Sequence, residues 1–209
     1  MNEGNESAAT VAAQTNQEPN QRQGVIRPSF ALYHANVKGT GCAMRMNLHP
    51  AHDVVEGSVM MSLATQKTVG NRTGATPTYS TFDWENRITV KLGFGDLCSI
   101  LQVLRGELES INDGKGLYHQ SADYITRIVF RHLVTPITGY SLEVYRTSVR
   151  NQSAETAAHL FVNPSEALGL SVVFENALPY VCFGIPVVIP HDTTAYRERL
   201  RSSRTGNAA

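Results

Sequence analysis

The chain builds one construction twice, and that repetition restricts its fold more than any other feature. In residues 87–94, Ile88, Val90, Leu92 and Phe94 alternate with Arg87, Thr89 and Lys91. A period of two describes a half-buried strand, here with a basic outer face. It runs almost without a loop into a helix expected over Asp96–Ser110, where Leu97, Ile100, Leu101, Leu104 and Leu108 share one stripe. About sixty residues later Ala158, Leu160 and Val162 alternate, and Asn163-Pro164-Ser165-Glu166 opens a second helix running to about Tyr180. Asn163 stands as the cap, Pro164 in the first turn and Glu166 three residues after the cap. Three or four short strands precede each helix. The expected class is α+β, a duplicated ββββα.

The remaining strands are expected at Ser29–His34, Cys42–Leu48, Ser58–Ala64, Tyr124–Leu133 and Gly139–Thr147, with a last one ending at Val162. Asn36–Gly41 is a glycine-bearing turn, and Thr68–Ser80 a long, polar, basic loop expected to be exposed. Residues 1–25 lack apolar periodicity and read as a disordered tail; residues 26–190 form one domain; residues 191–209 carry Arg197, Arg199, Arg201 and Arg204 as a basic arm. A hydrophobic content of 42% supports a core of ordinary size. No apolar run reaches the roughly 20 residues that span a bilayer, so no membrane partner is expected.

Cys42, Cys98 and Cys182 are an odd set without CxxC spacing. They read as small buried hydrophobes in a reducing compartment, not as a disulfide framework. The expected setting is cytoplasmic, bacterial or phage-like, with an organelle as the alternative.

Formal net charge is zero, but it is sorted by element. Residues 26–94 hold seven Lys/Arg against four acids, and residues 124–163 four against two. The helix-bearing stretches hold two bases against five acids and none against two. A neutral chain can therefore present basic sheet surfaces. The second helix is apolar nearly all round, which calls for burial on more than one side. Part of it is expected to form the interface of a closed homo-oligomer.

Tyr33–Met44, Phe82–Arg87 and Ala167–Gly184, taken in this order, resemble three segments of the Whirly family of single-stranded-DNA-binding proteins. Tyr33–Met44, with Lys38-Gly39-Thr40-Gly41-Cys42-Ala43 inside it, is similar to the family's KGKAAL segment. Phe82-Asp83-Trp84-Glu85-Asn86-Arg87 resembles its YDW-x-x-K segment, and Ala167–Gly184 its closing F-x-x-x-LP helix. The likeness spans roughly Phe30–Ile185. It implies two antiparallel four-stranded sheets packed roughly perpendicular, with two helices gathered at the centre of a tetramer. The implied ligand is single-stranded DNA, bound with little sequence preference. Mitochondrial guide-RNA-binding proteins share that fold, so RNA is the alternative ligand. Thr40 replaces the second lysine of KGKAAL, and neither the His49–Asp53 segment nor the Thr68–Ser80 loop belongs to the pattern.

Binding single strands without reading sequence needs cations along the phosphates and flat rings for the bases. The outward cations expected are Lys38, Arg45, Arg87, Lys91, Arg127, Arg131 and Arg146, with Lys67 and Arg72 acting from the loop. Tyr33, Tyr79, Phe82, Trp84 and Tyr145 are the candidate platforms; Trp84 and Phe82 could equally be core anchors. No catalytic residue and no cofactor are expected. Two other classes stay open. His49, His52 and Asp53, with His34, His119 or His132, could ligate a metal in an enzyme, although no HExxH-type context surrounds them. The apolar second helix could also serve a purely structural assembly module.

Overall fold

The computed structural model describes residues 29–185, apart from 53, 72, 74, 75 and 152–154. Strands β1 (Ser29–His34), β2 (Cys42–His49), β3 (Ser58–Thr68), β4 (Thr81–Phe82) and β5 (Ile88–Leu92) precede α1 (Phe94–Leu104). A 3-10 turn at Ile111–Gly114 leads to β6 (Leu117–Gln120), β7 (Tyr124–Leu133), β8 (Gly139–Ser148) and β9 (Glu155–Val162), then α2 (Pro164–Phe183). The first sheet runs β1-β2-β3, with β4 and β5 sharing the far edge of β3; the second runs β6-β7-β8-β9. Every pairing is antiparallel. This is the expected duplicated α+β architecture, with five strand segments in the first sheet and four in the second.

The fifth segment has a local cause. The Asp83 carboxylate accepts from the Asn86 backbone N–H (3.3 Å) and side-chain amide (2.8 Å), closing a turn between β4 and β5. Strand β3 runs four residues past the expected Ala64, and a register shift between Gln66 and Thr68 lets it take both partners. Helix α1 also departs from expectation. It stops at Leu104 because Gly106 adopts φ 74° and donates to the Val103 carbonyl at 3.0 Å. A left-handed residue just beyond the last turn ends a helix, and glycine adopts it without strain. Leu108 consequently lies off the helix and is exposed, as is Phe94, which opens α1 instead of closing a strand. Strand β6 was not expected, since Leu117 is the only apolar side chain on its inner side.

The inner faces of both sheets and one side of each helix share a single core. Met44, Met61, Leu63, Leu92, Leu97, Ile128 and Leu160 are fully buried in it. Each such side chain contributes about 1.5–3 kcal/mol relative to exposure. The α2 cap forms as its sequence indicates: Asn163 Oδ1 accepts from Glu166 N, and Glu166 Oε2 from Asn163 N, both at 3.0 Å. Ala167, Leu170, Phe174, Ala177 and Val181 point into the core. Leu168, Val172, Val173, Tyr180 and Phe183 (89% exposed) do not. Cys182 lies on that outer side too, so it is not a buried hydrophobe. Cys98 is half-buried, and burial pushes the Cys42 thiol up to about 11 despite its contact with the Ala64 backbone. Among the described residues no helix is long and apolar enough to cross a membrane.

Candidate nucleic-acid interface

On the outer face of the first sheet, Tyr33 stands opposite Ala43, Arg45 and Thr89 opposite Ser62, and Lys91 opposite Met60. Four of the expected residues meet there. The Tyr33 ring is 5.7 Å from Phe82 and 6.4 Å from Trp84, and the Arg45 guanidinium carbon lies 4.3 Å from the Trp84 ring centre. Beneath them Ala43 and Ala64 pair with each other and are 0% and 1% exposed, although their side chains point outward. Two methyl groups leave room for rings to lie against the sheet. Tyr33 stays 56% exposed, while Phe82 and Trp84 are half-buried. The rings are therefore neither core anchors nor free side chains; they form a semi-exposed aromatic surface with a cation stacked on it.

The Asp83–Asn86 turn brings Trp84 to this place, and Arg87 secures it by donating to the Trp84 carbonyl at 2.6 Å. Arg87 thus lies just outside β5, beside the cluster and exposed. Hydrogen bonds from Asn86, first from its side chain and then from its backbone, hold the Asp83 carboxyl below its ordinary value, and the Lys67 charge adds to this. Lys67 itself sits near the end of β3, not in the loop, with that carboxylate nearby. Arg72 lies outside the described residues, as do Asp53 and both tails.

Lys38 is exposed in the turn between β1 and β2. Asn36 organises that turn, its Oδ1 accepting from Lys38 N (3.0 Å) and Thr40 N (3.1 Å). Gln66 welds the turn to β3. Its Oε1 accepts from Asn36 N (2.9 Å) and Gly41 N (3.1 Å), while its amide donates to the Asn36 and Thr68 carbonyls, both at 3.0 Å. Sequence reasoning passed over Gln66, because its role depends on a contact thirty residues away in the chain.

On the second sheet, Arg127, Arg131 and Tyr145 face outward as expected, but their environment differs from that of Arg45. Glu143, 8% exposed, is at the centre of this face. It accepts from Arg131, from the Ser141 hydroxyl (2.9 Å) and from the Tyr145 hydroxyl (2.7 Å). Burial alone would raise its carboxyl, but Tyr145, Ser141 and Arg131 together bring it below the ordinary value. The same hydrogen bond raises the Tyr145 phenol. Arg131 is therefore neutralised, whereas Arg127 stacks on Tyr145 at 4.6 Å. Tyr118, exposed on β6 opposite Arg127, belongs to this face and was not anticipated.

Arg146 is a correction. It shares the inner side of β8 with Leu142 and Val144, and reaches across to donate to the Thr89 carbonyl of the first sheet. The Tyr124 ring lies 5.2 Å from its guanidinium carbon, and burial lowers its pKa. It joins the two sheets and does not belong to an outer face. Lys91 lines the cleft at that seam together with Thr89, His119, Tyr124 and Arg146.

Of the residues weighed as metal ligands, Asp53 lies outside the described residues, and the histidines stand on different segments. His49 closes β2, His52 bridges to Val55, His34 and His119 each meet a different carboxylate, and His132 lies 5.0 Å from the Tyr140 ring. Among the described residues no three His, Cys, Asp or Glu side chains are placed to hold a metal ion.

No family model matches the chain, and no curated protein matches it. Solved structures do. The crystal structure of WHY1 from Arabidopsis thaliana superposes with a TM-score of 0.57 at 12% identity, covering 88% of this chain and 96% of that one. The structure of the plant transcriptional regulator PBF-2 gives a TM-score of 0.54 at 14% identity, covering 88% and 91%. Both are Whirly proteins, and the chain has a Whirly-like fold.

Proposed function

We propose that this chain binds single-stranded nucleic acid without catalysing a reaction, with DNA as the ligand and little dependence on base sequence. The observation that carries this reading is the joining of Tyr33, Phe82, Trp84 and Arg45 on one sheet face. Rings offer every base a stacking surface worth about 1–3 kcal/mol, and adjacent cations follow the phosphates. Lys91 and Arg87 extend the positive charge along the same face, and Arg127 with Tyr145 repeats the pairing on the other sheet. The structural neighbour described as a plant transcriptional regulator supports a role on nucleic acid. We place the homo-oligomer interface on the outer side of α2, where Leu168, Val172 and Phe183 expose a row of apolar surface, and we take the assembly to be a tetramer.

The test is a salt titration of binding to oligothymidylate, oligouridylate and a duplex of equal length. Single strands should bind and the duplex should not, with affinity falling linearly on a logarithmic scale as phosphate-bound counterions are released. Equal binding to duplex, or none to either single strand at low salt, would overturn the reading. A preference for oligouridylate would reassign the ligand to RNA.

A further inference from the structure

Beside the aromatic cluster lies a groove of about 680 Å³, between the β1–β2 turn and loop residues 69–71, 73 and 78–80. That volume falls within the roughly 300–1,000 Å³ of small-ligand pockets. Tyr33 and Phe82 line it from the sheet, Val37 from the turn, and Val69 and Tyr79 from the loop. Tyr33 and Phe82 therefore belong to both the sheet face and the groove, so a strand lying on one can continue into the other.

The walls are held before any ligand arrives. Gln66 anchors the turn. The loop neck is tied by Gly70 N to Ser80 Oγ and Asn71 N to Thr78 Oγ1, both 2.9 Å, and by Thr78 N to the Asn71 carbonyl at 2.8 Å. Gly70 permits this closeness, since a Cβ there would come within 2.7 Å of the Thr78 carbonyl oxygen. Asn36 and Asn71 spend their side-chain oxygens on the turn and loop themselves. Much of what the groove offers a ligand is ring and aliphatic surface, above all Tyr79, which is 82% exposed. Lys38 follows Val37 in the turn and is exposed, which puts a cation beside that wall.

We infer that this groove holds one unstacked nucleotide of the bound strand, its base against Tyr79 and Tyr33 and its phosphates toward Lys38. This rests on the reading that the adjoining sheet face binds single strands. The groove selects for a flat ring more than for base identity, because the side-chain oxygens of Asn36, Asn71, Thr78 and Ser80 are already hydrogen-bonded within the protein.

The experiment uses the full chain with oligothymidylates of increasing length, each also made with one 5-iodo-deoxyuridine for photocrosslinking. Tyr79→Ala should lower affinity roughly tenfold, but only for oligonucleotides long enough to reach beyond the sheet face. Tyr79→Phe should bind as wild type, and crosslinks should map to Tyr79 or Tyr33. The inference is overturned if Tyr79→Ala binds every length as wild type and crosslinks map to Trp84 alone; the sheet-face reading then survives. No binding of any length by the wild type overturns both.

Discussion

His34 Nε2 lies 2.8 Å from Glu166 Oε1, joining the first strand of the first half to the helix of the second half. His119 Nε2 and Asp96 Oδ2, 3.2 Å apart, make the reciprocal connection from the first strand of the second half to the helix of the first. In both cases the acid is the third residue of its helix and also accepts the cap residue's N–H, Gly93 at 2.9 Å and Asn163 at 3.0 Å. Each carboxylate thus starts a helix and holds the opposite half's edge strand. Both histidines end the same word, Leu32-Tyr33-His34 and Leu117-Tyr118-His119. In each the tyrosine faces outward and the histidine inward.

His34→Ala should lower unfolding free energy by about 1 kcal/mol, the net worth of one hydrogen bond. Glu166→Ala should lower it further, because the cap is lost as well. A double-mutant cycle by urea denaturation should give a coupling of at least about 0.5 kcal/mol. Strict additivity would mean the contact contributes nothing.

For the sheet face, Trp84→Ala and Tyr33→Ala should each weaken oligothymidylate binding about 10- to 100-fold with an unchanged salt slope. Arg45→Ala should also reduce the slope by about one unit. Anisotropy titrations at several salt concentrations separate the two effects. Identical slopes for all three variants would remove Arg45 from the phosphate path.

Arg146 and Arg127 should divide stability from binding. Arg146→Ala removes the link to the Thr89 carbonyl and should cost about 1–3 kcal/mol of stability with little change in affinity. Arg127→Ala should do the reverse, and Arg131→Ala should affect binding less than Arg127→Ala, since Glu143 already neutralises Arg131. Thermal melts and binding curves on the same samples check the division.

Glu143 ties stability to pH. Its folded-state pKa lies below the ordinary 4.5, so its stabilisation is complete above that value and is lost as pH falls through the depressed one. Glu143→Gln should therefore be less stable than wild type by about 1–2 kcal/mol at neutral pH. The gap should narrow in acid, where the wild-type carboxyl is itself protonated. A gap that stays constant down to pH 3 would show that its charge is not what matters.

If α2 carries the oligomer contact, Leu168→Asp or Val172→Asp should yield monomers of unchanged circular dichroism, because both side chains are exposed in the single chain. Sedimentation velocity reads this directly. An unchanged mass would move the interface elsewhere.

Much of the fold was legible because it is written in short periods. Alternation placed Ile88, Val90 and Leu92 inward, and the Asn163–Glu166 cap set the start of α2 to the residue. The expected end of α1 was wrong because the leucine stripe continues past Gly106, and one left-handed glycine outweighs the periodicity beyond it. For Arg146, alternation already put it with Leu142 and Val144, against the general preference for exposed arginine. An inward guanidinium is tolerable there only because a carbonyl and a ring on other strands receive it.

By itself the sequence determined what depends on neighbours along the chain: the repeat, the strand faces, the second helix's cap and the sorting of charge between strands and helices. Tertiary structure alone decided which cations stay available. Arg45 meets Trp84 across an alanine floor, Arg131 meets a buried glutamate, and Arg146 crosses the seam between sheets. The physical reason is that a side chain's period fixes its direction, whereas its electrostatic partner is set by register and sheet packing, which bring together residues far apart in the chain.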